Sequence, residues 1–297
     1  MIPREELLRV RRIASRVNPR IKEWASLGDR RDRDRLGCTL AEGSRLVAEG
    51  LSGELSGEPG AAGGMRPLAL LIADSGAEQP GAGAAFARAG ALGIDRFSLA
   101  DDCFAKVSGL KNADGIALVM SFTRERPALR ELFSHPDAAW LVAAGVQDPG
   151  NAGALARTAL AAGWSGCIYL EGADPVSPKF LRGGMGASFR LPCLSMTVDD
   201  FLAEWPDAAA RLIIAVSGDD GDDFRRADYS PPVALLVGGE RGLPEALSGL
   251  TAARAHIPLS GNVESLNLAV AAGILLFEAA RPLHRQSPCN SQKPVEK

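Results

Sequence analysis

Continuous apolar runs alternate with helical patterns through the second half of the chain. The runs are WLVAAGV, GCIYL, RLIIAV, VALLVGG and ARAHIPL. Their apolar residues follow one another without the strict alternation of a half-exposed strand, which is typical of parallel strands that are covered on both faces. The pattern therefore predicts an α/β domain built on a parallel sheet.

The first half of the chain predicts a smaller set of helices and strands. The segment PREELLRVRRIASRV has apolar residues at roughly helical spacing and predicts an opening helix. Residues 39–51, TLAEGSRLVAEGL, predict a strand that runs into a helix, and residues 67–74, PLALLIAD, predict another strand. The glycine-rich residues 52–64 predict a mobile surface loop.

Length and proline placement predict two domains. The 297 residues suffice for two domains that each bury a core. Pro127 and Pro136 flank a short charged helical pattern, which suits an interdomain connector. The predicted segments are a first domain, a linker, a second domain and a disordered tail, at 1–118, 119–137, 138–285 and 286–297.

Composition favours a soluble cytoplasmic protein without bound metal. The five cysteines are far apart and form no CxxC pair, which fits a reducing compartment and makes structural zinc improbable. The N-terminus has no apolar signal core, and the longest apolar stretch, near 266–280, is short for a membrane span. The net charge is −3, yet residues 1–35 hold eleven basic and six acidic residues. This cluster favours either a surface that faces a polyanion or a solvated one.

Three segments combine turn-forming residues with candidate chemistry. The first is QDPGNAGALARTALAAG at 147–163, where Asn151 follows a predicted strand and suits a helix cap. Arg157 lies about 9 Å further along that helix, and helical side chains lean towards the N-terminus. A cation could therefore meet an anionic ligand at this corner, although close packing of an alanine-rich helix is the structural alternative.

The other two segments are VGGERGLP at 237–244 and IPLSGNVESLNLAVAAG at 257–273. In the former, Gly238 and Gly239 let the backbone approach a ligand. In the latter, Ser265 is a good cap for a helix that begins near Leu266. Asn267 is a polar amide near the start of an apolar helix, where such a group is usually buried with a hydrogen-bond partner, and a structural network is therefore the alternative to a functional role for it.

These three segments, in this order and with these spacings, resemble the SpoU/TrmH branch of the SPOUT superfamily of RNA 2'-O-ribose methyltransferases. The resemblance implies a parallel-sheet domain with a deep C-terminal trefoil knot, S-adenosyl-L-methionine as cofactor, and a homodimer. It implies catalytic roles for Asn151, Arg157, Glu240, Ser265 and Asn267, and cofactor contacts from Gly238, Ile257 and Leu266. Many family members have one more residue before the next glycine after Glu240, so this loop is shortened here.

Two further segments resemble the family more loosely. Residues 18–50 resemble the smaller L30-like α/β RNA-binding domain that often precedes the catalytic domain, and this implies RNA contacts for Lys22 and Arg35. That match also rests on Glu42 and Gly43. Residues 177–192, SPKFLRGGMGASFRLP, imply that Arg182 and Ser188 approach RNA. The front domain favours 23S ribosomal RNA as the methylated RNA over transfer RNA.

Chemistry favours a positioning role for Arg157 over a general-base role. Because the ordinary pKa of an arginine side chain lies far above 7, a neutral guanidinium at pH 7 would cost roughly 7 kcal/mol. A charged guanidinium can instead hold a phosphate and orient the 2'-hydroxyl for attack. A catalytically silent RNA-binding member of the fold is one alternative. A dinucleotide-dependent oxidoreductase is another, but GAGAAFARAG at 81–90 has Phe86 where the third small residue belongs.

Overall fold

The computed structural model describes residues 1–52, 64–206, 210–217, 220–239, 241–260 and 263–281. These residues form two compact units that are interleaved along the chain. Unit 1 contains Met1–Arg126, Asp148–Arg157 and Ala173–Ser195. Unit 2 contains Pro127–Gln147, Thr158–Gly172 and the described residues from Met196 onward. The predicted domains were contiguous, and their boundaries stay a prediction.

The elements follow one another in a mixed order of helices and strands. The strands are β1 (Arg11–Ile13), β2 (Cys38–Glu42), β3 (Met65–Ala73), β4 (Asp95–Leu99), β5 (Ile116–Phe122), β6 (Ala139–Ala144), β7 (Gly166–Leu170), β8 (Cys193–Met196), β9 (Arg211–Val216), β10 (Asp222–Asp223), β11 (Val233–Gly238) and β12 (Ala253–His256). The α-helices are α1 (Arg4–Leu8), α2 (Pro19–Ser26), α3 (Arg30–Leu36), α4 (Ser44–Gly50), α5 (Ala82–Ala91), α6 (Asp101–Val107), α7 (Leu129–Leu132), α8 (Pro149–Ala161), α9 (Pro178–Gly183), α10 (Val198–Glu204) and α11 (Leu268–Ala279). Short 3₁₀ helices occupy Ser75–Glu78, Ala187–Phe189, Phe224–Arg226 and Glu245–Leu247.

Unit 1 is built on a mixed sheet with the strand order β1-β4-β3-β5-β2. β1, β4 and β3 are parallel, whereas β5 is antiparallel to both of its neighbours. Helices cover the apolar face of this sheet, where the Trp24 and Phe97 rings meet edge to face with centroids 5.1 Å apart. The predicted strand–helix pair at 39–51 and the predicted strand at 67–74 are confirmed.

Unit 2 contains a parallel sheet, as the continuous apolar runs predicted. Neighbouring strands pair in parallel in the order β10-β12-β9-β11-β6-β7. All residues of β6 and β7 are buried. Burial on both faces leaves no position for a polar side chain, and this explains why the strands show no alternation. The α/β fold is confirmed, and the knot stays a prediction.

The predicted opening helix is wrong beyond its first turns. α1 ends at Leu8, and residues 11–13 form β1, whose Ile13 pairs with Leu99. The apolar residues of this segment do not share one buried face, because Ile13 is buried whereas Leu8 and Val17 are exposed. Pairing in the sheet therefore outweighs the helical spacing. Most of the predicted glycine-rich loop, residues 53–63, and the predicted tail lie outside the described residues.

The described part of the chain offers neither a membrane-spanning helix nor a metal-binding cluster. No helix there combines the length and the apolar composition that a membrane crossing requires. No group of three or more histidine, cysteine, aspartate or glutamate side chains there is arranged to hold a metal ion.

Candidate functional site

The carboxyl edge of the unit 2 sheet carries a tight glycine turn. β11 ends at Gly238, and the amide of Gly239 donates to the Ala144 carbonyl oxygen at the end of β6, 2.7 Å away. A methyl group at Gly238 would lie 2.8 Å from the Gly242 carbonyl carbon, and one at Gly239 would overlap the Gly145 carbonyl. Any side chain at these two positions would therefore push the turn apart.

The segment that follows β12 returns to the same edge, because β12 and β11 are both parallel to β9. Ligands of open α/β sheets bind outside the carboxyl ends of the strands. Ile257 and Leu266 are partly exposed, so each offers apolar surface to a ligand. Ser265 is exposed, whereas Glu240 and residues 261–262 lie outside the described residues.

Asn267 starts the last helix. Its side-chain oxygen accepts hydrogen bonds from the amides of Ala269 (2.9 Å) and Val270 (3.4 Å), and α11 begins at Leu268. The prediction that Ser265 caps this helix is therefore wrong. Asn267 is exposed, so the structural alternative of a buried amide is not observed. Serine and asparagine are both favourable N-caps, so the sequence left the first helical residue uncertain by two positions.

Asp148, rather than Asn151, caps α8 in unit 1. The Asp148 carboxylate accepts hydrogen bonds from the backbone amide of Asn151 (2.9 Å) and from Lys179 Nζ (2.6 Å). The hydrogen bond from Lys179 is the main cause that lowers the pKa of Asp148, and the bond from the Asn151 amide adds to it. The predicted cap at Asn151 is wrong, because the helix begins at Pro149, three residues earlier than that cap implies, and Asn151 lies in its first turn.

Glycines hold α9 directly against the first turns of α8. A methyl group at Gly153 would lie 2.5 Å from the Phe180 carbonyl oxygen, and one at Gly183 would lie 2.8 Å from the Gly150 carbonyl oxygen. The predicted close packing through alanines is thus achieved mainly by glycines at these contacts. Sequence reasoning also missed the Asp148–Lys179 pair, since the two residues are 31 positions apart.

Arg157 is exposed on α8. Across the described residues, we find no hydrogen bond or ion pair to its guanidinium. A positive charge without a protein partner on a fixed helix is suited to an anionic ligand such as an RNA phosphate.

The other predicted RNA contacts in unit 1 differ in exposure. Lys22 is exposed, and Arg35 is exposed while it pairs with Asp32 at 2.7 Å. Arg182 is partly exposed and lies 3.4 Å from Glu42. Ser188 is only 1 % exposed, so its hydroxyl is out of reach of a ligand on the surface of the unit. An RNA contact through Ser188 is therefore not compatible with this conformation.

The predicted site residues are divided between the two units. Unit 1 holds the residues of the first signature and the predicted RNA contacts: Asn151, Arg157, Lys22, Arg35, Arg182 and Ser188. Unit 2 holds the described residues of the second and third signatures: Gly238, Ile257, Ser265, Leu266 and Asn267.

Family models match most of the chain. The model of the SpoU rRNA Methylase family matches residues 138–277, and that of the MRM3-like substrate binding domain matches residues 18–118. The RlmP 23S rRNA (guanosine(2553)-2'-O)-methyltransferase of Bacillus subtilis is 29 % identical over 90 % of this chain and 98 % of its own. The 23S rRNA (uridine(2479)-2'-O)-methyltransferase of Streptomyces viridochromogenes is 30 % identical over 91 % of this chain and 92 % of its own.

Solved structures agree with these matches. An AdoMet-bound rRNA methyltransferase from Sinorhizobium meliloti has a TM-score of 0.75 and 30 % identity, over 92 % of this chain and 98 % of that one. The SpoU methyltransferase AviRb from Streptomyces viridochromogenes, in complex with AdoMet, has a TM-score of 0.74 and 26 % identity, over 90 % of this chain and 98 % of that one. The resemblance seen in the sequence is confirmed: the chain belongs to the SpoU rRNA methylase family.

Proposed function

We propose that this protein transfers a methyl group from S-adenosylmethionine to a ribose 2'-hydroxyl of 23S ribosomal RNA. The observation that carries the proposal is the exposed guanidinium of Arg157 on α8, within the segment that matches the methylase family. The relatives that act on 23S rRNA span nearly the whole chain and support ribosomal RNA as the substrate. The match to a substrate-binding domain at 18–118 supports an RNA partner.

The carboxyl edge of the unit 2 sheet fits the cofactor. The turn at Gly238 and Gly239 has no side chains, and its partly exposed peptide groups can bind the polar parts of adenosine. Ile257 and Leu266 offer partly exposed apolar side chains for its base. When bound, S-adenosylmethionine supplies an electrophilic methyl group on its sulfonium. Gly238, Ile257 and Leu266 would hold it.

Arg157 would act by position. Its guanidinium can form two parallel hydrogen bonds to one phosphate. Such a grip fixes the neighbouring ribose, and alignment of reacting groups can contribute several kcal/mol to catalysis. By resemblance to the family, Asn151, Glu240, Ser265 and Asn267 would also have catalytic roles.

An exposed apolar stripe on α11 supports a homodimer. Val270, Ile274 and Phe277 are 53 %, 37 % and 50 % exposed, at spacings of four and three residues that put them on one face of the helix. Contiguous apolar surface of this kind is a common mark of a protein interface. A second copy of the chain is the partner that family membership favours, and ribosomal RNA as substrate places the enzyme in the cytoplasm.

Transfer of labelled methyl tests the proposal. The purified chain is incubated with radiolabelled S-adenosylmethionine and total bacterial RNA, and the RNA is fractionated and digested to nucleosides. We expect a labelled 2'-O-methylnucleoside in the 23S fraction. Label in transfer RNA alone would contradict the substrate. Cofactor binding without label in any RNA would favour an RNA-binding role without catalysis.

A further inference from the structure

Unit 1 contains a cavity of about 290 Å³ that no role assigned so far explains. Its wall is apolar at Leu40, Val107 and Pro149. Its polar lining comes from Glu42, Lys106, Ser108, Lys179 and Arg182. We call it the Glu42 cavity. An apolar wall with a few convergent polar groups is the usual composition of a small-ligand site, and the volume is at the lower end of such sites.

Glu42 is the buried acid of this cavity. Its side chain is only 2 % exposed. One carboxylate oxygen accepts from the Ser108 hydroxyl, and the other accepts from the Gly109 amide (3.2 Å) and from Arg182 (3.4 Å). A carboxylate has about four acceptor positions, so these three bonds leave about one for a ligand. The carboxylate is therefore fixed in place and still able to accept a hydrogen bond.

The cations of the cavity also keep unused donors. Lys106 Nζ donates to the Arg16 carbonyl (3.0 Å), and Lys179 Nζ donates to Asp148 (2.6 Å). Each ammonium has three donors, so each retains donors after these bonds. The three cations Lys106, Lys179 and Arg182 exceed the two carboxylates that they contact by one charge. The cavity thus favours a ligand with a negative group.

A free phosphate does not fit this arrangement, because the buried Glu42 carboxylate would repel it. A ligand that carries an N–H donor at one end and an anion at the other satisfies both sets of groups. An unstacked nucleotide has this chemistry: its base edge donates, its ring packs on apolar surface and its phosphate accepts. Proteins recognise RNA mostly through such unstacked bases.

We propose that the Glu42 cavity binds one unstacked nucleotide of the RNA substrate, and this proposal rests on the function proposed above. The base lies against the apolar wall with an N–H directed to Glu42, and the phosphate is held by Lys106 and Lys179. The cavity thereby contributes to the choice of the RNA segment that is methylated.

Calorimetric titration of the full chain with ribonucleoside 5'-monophosphates tests this proposal. S-adenosylhomocysteine is kept saturating so that nucleotides do not enter the cofactor site. We expect Glu42→Gln to weaken binding of the preferred monophosphate and of its nucleoside at least about tenfold, because a charged hydrogen-bond acceptor is lost. Lys106→Gln should weaken binding of the monophosphate by a similar factor and leave the affinity for the nucleoside unchanged.

Glu23→Gln and Lys111→Gln are matched controls, because both residues are exposed and neither lines the cavity. The affinity of both variants for nucleotides should lie within about twofold of that of the unmodified chain. Lys106 bonds only a backbone carbonyl, so its variant should fold even if Glu42→Gln does not. Absence of monophosphate binding at millimolar concentration would overturn the proposal. So would inorganic phosphate that binds as tightly as the monophosphates.

Methyl transfer separates this proposal from the proposed function. If the unmodified chain methylates 23S rRNA while neither cavity variant changes nucleotide binding, the cavity proposal fails and the function stands. If the unmodified chain methylates no RNA, the function fails whatever the cavity binds.

Discussion

Arg157 carries a charge that the protein itself does not neutralise within the described residues, so its removal should cost little stability. We predict that Arg157→Ala lowers kcat/KM for RNA methylation at least about 100-fold, because phosphate positioning is lost. The free energy of unfolding should change by no more than about 0.5 kcal/mol. The affinity for S-adenosylmethionine should stay within about twofold, as measured by equilibrium binding.

Arg130→Ala provides the control, since Arg130 is likewise exposed on a helix. It should leave methylation unchanged. A parallel loss of cofactor affinity in Arg157→Ala would refute the assignment of Arg157 to the RNA.

Asp174 presents the opposite case, a charge that is fully engaged inside unit 1. Its carboxylate accepts from Arg33 (2.6 Å) and from Arg124 (2.8 Å), and the Arg33 side chain is only 4 % exposed. We predict that Asp174→Ala lowers the free energy of unfolding by about 3–5 kcal/mol, because Arg33 is left buried without a counter-charge. Chemical denaturation at pH 7 measures the change. Asp137→Ala, at an exposed loop position, should change it by no more than about 0.5 kcal/mol.

The same pair makes stability depend on pH. Burial by itself would raise the pKa of Asp174, but the hydrogen bonds from Arg124 and Arg33 outweigh burial and lower it below 3.8. A carboxyl group with a lowered pKa stabilises the folded state fully above its unfolded pKa, and this stabilisation is lost as the pH falls through the folded pKa. The unfolding free energies of the unmodified chain and of Asp174→Asn should therefore differ by a constant amount above about pH 5 and converge below pH 3.8. A difference that persists at lower pH would contradict this.

Sequence reasoning found Arg157 but missed the Arg33–Asp174 pair, and distance along the chain explains both results. Arg157 lies in a segment whose turn, helix and charge are all local. Arg33 and Asp174 are 141 positions apart, and no local pattern links them. The contact of Glu42 with Arg182, 140 positions away, was missed for the same reason.

Helices and strands were predictable where local signals agreed and not where two residues could serve the same purpose. The buried parallel strands follow from their continuous apolar runs. The start of α8 was misplaced by three residues and that of α11 by two, because Asp148 and Asn151, like Ser265 and Asn267, are all good caps. Only the hydrogen bonds distinguish the residue that caps.

The cap of α11 allows its structural and chemical roles to be separated. Asn267→Ala should lower the free energy of unfolding by about 1 kcal/mol, because two helical amides lose their acceptor. Asn267→Asp keeps a cap of similar strength and should stay within about 0.5 kcal/mol of the unmodified chain. If Asn267 also takes part in catalysis, Asn267→Asp should still lower methylation at least about tenfold. Ser265→Ala serves as the control for the free energy of unfolding. Full activity of Asn267→Asp would leave Asn267 with a capping role alone.

Assembly of two chains should depend on the apolar stripe of α11. We predict that Ile274→Glu combined with Phe277→Glu raises the dimer dissociation constant at least about 100-fold, since two charges would be buried at the interface. Sedimentation equilibrium measures it. The double variant should fold, because both positions are exposed in the isolated chain. Leu92→Glu, at an exposed apolar position in unit 1, should leave the dimer unchanged. A monomeric unmodified chain at micromolar concentration would refute the homodimer.

The interleaving of the two units has a consequence for the order in which the protein folds on the ribosome. Unit 1 needs residues up to Ser195, so it cannot be completed when its first 126 residues have emerged. Arg33 is synthesised 141 residues before Asp174, a delay of roughly 7 to 28 s at common rates of translation. Throughout that interval the nascent chain must keep the Arg33 guanidinium hydrated. The front part of unit 1 therefore reaches its final packing only late in synthesis.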